Sequence, residues 1–377
     1  MLVRYLSLAI TVLLSAPTAH AGPYSDLIVF GDSLSDVGNT NFWTAGAFPG
    51  SNYFDGRFSN GPTYAERLSE GLGLGALTRD GEGGDNFAYG GAETNGPGGF
   101  EGFFLNSFVE QVDDYLDRID GASPSPDTLF VVFIGANDYL RGGQTNAAIP
   151  AGVVRTQINR LVSAGAETLL GINLPLLGLT PEYNSDAVRA AAISTLAAEY
   201  NTAIANTYDE IEVANPDVTI HRLDAESQFN RYLADAASLG FTNTTDAGRD
   251  ASGGSLDGAP GYVFWDEVHP TREVHALLSE AAIRAVLPTG DYDRDGIVSQ
   301  SDGQAWRDAY GTVFNASLGE TPSLAADGNG DGRVDAADYT IWRDRFVESQ
   351  RFMVPEPLSW AMLLTAVVIA KGSRGGV

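Results

Sequence analysis

Four short apolar runs punctuate the first two thirds of the chain, at residues 27–30, 129–134, 168–173 and 218–223. Each is nearly continuous in hydrophobicity rather than alternating, which is the pattern of a strand covered on both faces. Between them the period changes. Val109, Val112, Leu116 and Ile119 recur at helical spacing, residues 153–162 read the same way, and a longer helical stretch runs over residues 186–213. Strands alternating with helices predict an α/β fold, a parallel sheet with helices on both faces. A last helix is expected over residues 271–286, with Pro288 to stop it. Two spans lack a clear period: the glycine-rich residues 71–102 and the Gly/Asp/Thr/Ser-rich residues 239–261. Both read as loop excursions.

Beyond Pro288 the pattern becomes a repeat. Asp291-Tyr-Asp293-Arg-Asp295-Gly296 is echoed by Asp327-Gly-Asn329-Gly-Asp331-Gly332, and the same 36-residue offset relates Trp306 to Trp342 and Arg307 to Arg343. A calcium ion takes six to eight oxygens, and a 12-residue loop supplies them from positions 1, 3, 5, 7, 9 and 12 with glycine at 6. The first copy offers Asp291, Asp293, Asp295, the Ile297 carbonyl and Asp302, with Ser299 at the ninth position. The second offers Asp327, Asn329, Asp331, the Arg333 carbonyl and Asp338, with Asp335 near the ninth. Carboxylates so clustered repel without a cation, so folding and structural Ca2+ should be coupled at two sites.

Composition narrows the function. The chain has 377 residues, 44% of them hydrophobic, enough for one large packed domain and something smaller. A formal charge of −27 argues against nucleic acid as a partner and against a basic patch on anionic lipid. Cysteine is absent, which removes disulfides and thiolate chemistry. At the amino terminus Arg4 precedes an apolar stretch over residues 6–14, then Pro17 and the small-residue site Ala19-His20-Ala21. These are the parts of a secretory signal peptide over residues 1–21, so an extracytoplasmic location is expected. The apolar stretch is too short to span a bilayer.

Candidate chemistry starts at the end of the first apolar run. A Gly31-Asp32-Ser33 turn there lifts a hydroxyl to the carboxyl edge of a parallel sheet, where α/β proteins keep their sites. A serine hydroxyl needs a base, and the base needs an orienting carboxylate. Asp266 and His269 stand three apart in Trp265-Asp266-Glu267-Val268-His269-Pro270, close enough for one tight turn to join them. The other mature histidines, His221 in a strand-like run and His275 in a helix, suit packing better.

Together these segments resemble the GDSL or SGNH serine esterases and lipases over about residues 26–286. The resemblance implies a three-layer α/β/α flavodoxin-like hydrolase domain spanning residues 22–287. It makes Ser33 the nucleophile, with Asp266 and His269 completing a Ser-His-Asp triad. Its oxyanion donors are the Ser33 amide, the Asn137 side chain in Gly135-Ala136-Asn137-Asp138, and Gly91 in Asn86-Phe87-Ala88-Tyr89-Gly90-Gly91-Ala92, with Gly90 open by a one-residue shift. No cofactor is implied for the ester chemistry. Phe100, Phe103 and Phe104 are candidates for an acyl-chain wall or for ordinary core.

The repeat pair, residues 288–347, resembles a small α-helical dockerin-like domain, which implies a cohesin-like protein partner. The tail, residues 348–377, resembles a PEP-CTERM sorting signal: Pro355-Glu356-Pro357, an apolar run over 358–370, then Lys371 and Arg374. It implies a sorting peptidase and membrane association, with a plain carboxyl-terminal anchor as the alternative. Two other functions compete. One is a non-catalytic surface adhesin using the fold as a scaffold. The other is a glycosidase built on Asp266 and Glu267, which neighbouring positions facing opposite ways disfavour.

Overall fold

The computed structural model describes residues 22–96 and 106–353, and the side chains of these up to 348. The expected signal peptide, the sorting tail beyond Met353, and Phe100, Phe103 and Phe104 lie outside the described residues. No described helix is long and apolar enough to cross a membrane.

The four apolar runs form one parallel sheet. Strands β1 (Asp26–Gly31), β2 (Thr128–Phe133), β3 (Thr168–Ile172) and β4 (Thr219–Leu223) lie side by side in chain order. Val29 stands opposite Val131, Val131 opposite Leu170, and Leu170 opposite His221. All six residues of β2 are buried, as a continuous apolar run in a covered sheet requires.

The outer edge of β1 is not bare. The Val29 N–H donates to the Asp85 carbonyl at 2.9 Å, Phe87 N–H to Val29 at 2.8 Å, and Tyr89 N–H to Gly31 at 3.2 Å. This is the ladder of a parallel pair. Residues 85–89 therefore add a rib outside β1, giving the second-first-third-fourth-fifth order of a flavodoxin-like sheet. The span expected as loop holds this rib because three residues of backbone pairing leave too little hydrophobic pattern to detect.

Phe130 packs on Tyr115 and Phe133 on Tyr64. Positions three apart on a strand face opposite ways, so the helices carrying those tyrosines cover opposite faces of the sheet. One is Phe108–Ile119, opened by a capping box between Ser107 and Glu110; the other is Tyr64–Gly71, opened by one between Thr63 and Glu66. The expected long helices occur as Ala148–Ser163, Ala187–Ala214 and Arg272–Val286. The second excursion contains strand β5 (Asn243–Ala247), which pairs in parallel with β6 (Tyr262–Phe264). β6 leads directly into the Asp266–His269 turn.

The repeat segment contributes helices Gln300–Ala309 and Ala336–Met353, the second running past the expected boundary at residue 347. Trp306 donates its indole N–H to the Asp335 carbonyl and Trp342 to the Ser299 carbonyl, both at 2.7 Å. Each repeat thus seals the ninth position of the other's loop. The module is not detached. Phe314, Ala316 and Leu324 complete a hydrophobic cluster with Tyr232, Phe241, Phe264 and Val274 of the larger domain. Arg294 bridges to Glu280 at 2.6 Å, and Arg231 donates to the carbonyls of Asn329 and Gly330. Sequence composition changes at Pro288, but the packing is continuous across it.

Candidate active site

β1 delivers the serine through a turn that only glycine can enter. A Cβ on Gly31 would lie 2.6 Å from the Phe133 carbonyl oxygen and 2.9 Å from Ser35 Oγ. Gln111 fixes the same peptide from the other side, accepting from Gly31 N–H at 2.9 Å and donating to its carbonyl at 2.8 Å. The Asp32 carbonyl then accepts from the amides of Ser35 and Asp36, both at 3.0 Å, closing the turn around Ser33.

The distant segments meet. His269 Nε2 lies 2.8 Å from Ser33 Oγ, and His269 Nδ1 lies 2.7 Å from Asp266 Oδ2. Asp266 Oδ1 also accepts the backbone amides of Val268 at 2.9 Å and His269 at 2.7 Å. A carboxylate accepting from Nδ1–H leaves Nε2 as the acceptor that faces the serine hydroxyl. Burial alone would raise the Asp266 carboxyl. The adjoining imidazole, the Tyr53 hydroxyl and the Val268 amide overcome this and hold it well below the usual carboxylate range. Glu267 points away and pairs with Arg249 at 2.8 Å, so the two acids do not form a joint site.

The oxyanion candidates surround the serine. The Gly90 amide is already spent on Asp36 Oδ2 at 3.0 Å and Thr40 Oγ1 at 2.8 Å. Gly91, held at φ 81°, has no amide bond of this kind among the described residues, which favours it over Gly90 as a donor. Asn137 Nδ2 donates one hydrogen to the Ala92 carbonyl at 3.1 Å and keeps a second. Ser33, Gly91 and Asn137 all line one cavity with His269. Asp36 and Asn39 brace this loop. Asp36 takes the amides of Gly38 and Asn39, and the Asn39 side chain donates to the Asn86 and Ala88 carbonyls.

Two contributors carry no motif. Tyr53 donates its hydroxyl to Asp266 Oδ2 at 2.7 Å, and Arg249 in turn donates to Tyr53. Neither stands in a recognisable block, so only the fold reveals them. His275 accepts from the Tyr64 amide at 3.1 Å, and burial lowers its imidazole to about 3, a neutral structural histidine. Asp32, beside the serine, is raised to about 6 by burial.

The acidic loops share one backbone pattern. Asp291 Oδ2 accepts from Gly296 N–H and Asp327 Oδ2 from Gly332 N–H, both at 2.8 Å. Asp302 takes the Ser299 amide at 2.7 Å and Asp338 the Asp335 amide at 2.8 Å. The sixth-position glycines have φ 88° and 84°, the left-handed turn such loops need. Asp295 and Asp331 accept the Ile297 and Arg333 amides in the same way. In the first loop, ligand oxygens of Asp291, Asp293 and Asp302 lie within 4.8 Å of one another.

A doubly covered parallel sheet with a hydroxyl, an imidazole and a carboxylate in line at its carboxyl edge is the architecture of an ester-cleaving α/β hydrolase. The chain belongs to the GDSL-like Lipase/Acylhydrolase family, whose model matches residues 27–282, and it is an ester-hydrolysing enzyme. It is 30% identical over 322 residues to the phosphatidylcholine-sterol acyltransferase of Aeromonas hydrophila, covering 72% of this chain and 93% of that one. It is 27% identical over 316 residues to the GDSL esterase/lipase At1g71691 of Arabidopsis thaliana, covering 68% and 80%. Among solved structures, a lipolytic protein of the G-D-S-L family from Veillonella parvula aligns at TM-score 0.39 and 12% identity, over 69% of this chain and 97% of that one.

Proposed function

We propose that this protein is an exported carboxylic ester hydrolase working through an acyl-enzyme on Ser33. His269 takes the Ser33 proton as the hydroxyl attacks the ester carbonyl, and Asp266 holds the imidazole in the required tautomer. The amides of Ser33 and Gly91 and the free N–H of Asn137 would receive the developing oxyanion. His269 then protonates the departing alcohol, and water attacks the acyl-enzyme to release the acid. The observation that carries this reading is the 2.8 Å approach of His269 Nε2 to Ser33 Oγ. A serine-reactive fluorophosphonate should label the chain once, at Ser33, and labelling should disappear in His269→Ala. Labelling at another serine would refute the assignment. The Aeromonas relative is named for transfer to a sterol, so products should be analysed with an added alcohol; free acid as the main product supports hydrolysis.

The two acidic loops fit calcium. Asp291, Asp293, Asp295 and Asp302 would hold one ion and Asp327, Asn329, Asp331 and Asp338 the other, with carbonyls from Ile297 and Arg333. Such ions would be structural, neutralising packed carboxylates; they have no part in the ester chemistry. Dockerin-like repeats imply a cohesin-like partner. The exposed Ile297, Tyr310 and Leu318 are surface such a partner could cover. Export by the amino-terminal leader and handling of the tail by a sorting peptidase complete the proposal. The amino-terminal sequence of the cell-exported protein, expected to start near Gly22, tests the first.

A further inference from the structure

We propose that Arg231, Glu280 and Arg284 clamp the repeat pair onto the two helices that wall the active-site cavity, so that closure of the acidic loops sets how tightly the cavity holds substrate. This rests on the hydrolase and calcium readings above and deepens both. The helix Ala225–Ala234 supplies Ala225, Phe229 and Tyr232 to the cavity wall, and the helix Arg272–Val286 supplies Val274 and Leu278. Other side chains of the same two helices grip the loops. Arg231 donates to the Asn329 carbonyl at 3.0 Å and to the Gly330 carbonyl, and Arg284 donates to the Asp327 carbonyl at 3.4 Å. Glu280 serves both copies of the repeat: one oxygen pairs with Arg294 at 2.6 Å and the other accepts the Leu324 amide at 3.3 Å. The Glu280 and Arg294 side chains are only 13% and 14% exposed, so water and salt screen this pair little.

The fourth position of each loop supplies a second observation. Gly330 stands 36 residues after Arg294, its counterpart in the first copy, and the two share a left-handed backbone at φ 69° and 65°. The turn itself therefore tolerates a side chain, and glycine at 330 answers a different need. A Cβ there would lie 2.7 Å from a terminal nitrogen of Arg231 and 2.7 Å from one of Arg284. Gly330 is bare where both guanidinium groups close on the loop, whereas Arg294 sends its own side chain out to Glu280. Tyr232 joins the two ends of the device. Its ring lines the cavity, while its buried hydroxyl lies in the field of Arg284, Arg231, Asp327 and Glu280.

Loops of packed carboxylates open when nothing neutralises them, and an open loop no longer presents its carbonyls to Arg231 and Arg284. The helices then lose anchors on the side opposite the cavity. Ser33 and Asp266 are held instead by their own turns, through the Asp32 carbonyl and the Val268 and His269 amides. Loop closure should therefore act on substrate binding and leave the chemical step nearly untouched.

The test uses the full chain and a soluble nitrophenyl ester, at a temperature where circular dichroism shows the chelated protein folded. Chelation should raise KM about fivefold, the low end of common coupling between sites. It should change kcat by less than about twofold, the mark of lost uniform binding. Coupling is reciprocal, so calorimetry should show calcium binding more tightly, by a comparable factor, once Ser33 carries an alkyl phosphonate. Gly330→Asn keeps every loop ligand and suits a left-handed turn, but its side chain displaces both arginines. It should still bind two ions, with KM already raised and no longer dependent on calcium. Arg231→Met should behave in the same way, and Arg231→Lys should recover part of the dependence. Two ions bound with KM unchanged, or an effect on kcat in place of KM, would overturn the proposal and leave the hydrolase reading standing. Failure to bind calcium would remove the calcium reading and this proposal with it. A folded chain that binds two ions yet hydrolyses no ester in either state would sink the hydrolase reading instead.

Discussion

Asp266 and Asp291 are both buried, at 3% and 6% exposure, yet their surroundings push their protons in opposite directions. Around Asp266 the chain supplies an imidazole, a tyrosine hydroxyl and two amides, which hold the carboxylate charged despite its burial. Around Asp291 burial and the neighbouring Asp302 and Asp293 raise the carboxyl to about 6, against only partial relief from backbone amides such as that of Gly296. Asp327 repeats the case, raised to about 6 by burial and by Asp338 and Asp331, with Arg284 opposing. The first arrangement is satisfied by the protein itself. The second leaves burial and like charge only partly relieved, which is the arrangement the proposed calcium would neutralise.

The comparison breaks most sharply at Ser33. Ser33→Ala should reduce kcat on a soluble nitrophenyl ester by about a thousandfold or more. Asp266→Asn should come close to that, because an amide in its place favours the wrong imidazole tautomer. Circular dichroism should show both variants folded. A folded Ser33→Ala protein with near-wild-type turnover would end the comparison on its catalytic side.

Next in size is calcium. Calorimetric titration of the full chain should give two ions bound, and calcium at about a hundred times its Kd should add about 2.7 kcal/mol of stability per site. The repeat segment shares the Tyr232–Phe314–Leu324 cluster with the hydrolase, so chelation should lower the melting of the whole chain in a single cooperative transition. A hydrolase transition indifferent to chelator would show that the two regions are energetically separate.

How much of this was legible before the fold is itself uneven across the two regions. The strands were readable because doubly buried strands are written as unbroken apolar runs, and Ser33, Asp266, His269 and Asn137 stand in short blocks at strand or turn ends. For the acidic loops the spacing points to one repeated turn, and both copies have the same left-handed glycine and amide-to-aspartate bond. The rib at residues 85–89 was not legible, because its pairing is carried by backbone amides. The sequence block points to Gly91, and what it leaves open, a one-residue shift to Gly90, is disfavoured by the Gly90 amide being bound to Asp36 and Thr40. Tyr53 reaches Asp266 from 213 residues away along the sequence and Arg249 acts behind it, on the Tyr53 hydroxyl, and no local pattern signals such an approach. The shared cluster across Pro288 was hidden for the same reason: composition marks a boundary that packing ignores.

Tyr53 offers a finer test of why Asp266 differs from Asp291. Tyr53→Phe keeps the ring and removes one donor to Asp266 Oδ2. A hydrogen bond to a charged group contributes about 1.5–3 kcal/mol, and only the fraction felt in the transition state reaches the rate, so kcat should fall about tenfold with KM little changed. A variant with unchanged kcat would show that His269 and the turn amides suffice to fix the carboxylate.

The smallest effect is a pH dependence of stability, and its sign separates the two kinds of buried acid. Asp266 has a folded pKa below its unfolded value of about 3.9, so its contribution to stability is present above that value and is lost as pH falls through the folded pKa. Asp32 is the opposite case within the same site. Burial raises it to about 6, so the native state binds its proton more tightly, and stability from this group falls as pH rises from about 4 to 6. Melting temperatures measured with calcium saturating should therefore show Asp266→Asn approaching wild type as pH drops below about 4. Asp32→Asn should gain on wild type between pH 4 and 7, because the amide carries no charge to desolvate. Parallel curves for both variants across that range would mean that neither carboxylate feels the environment the geometry gives it.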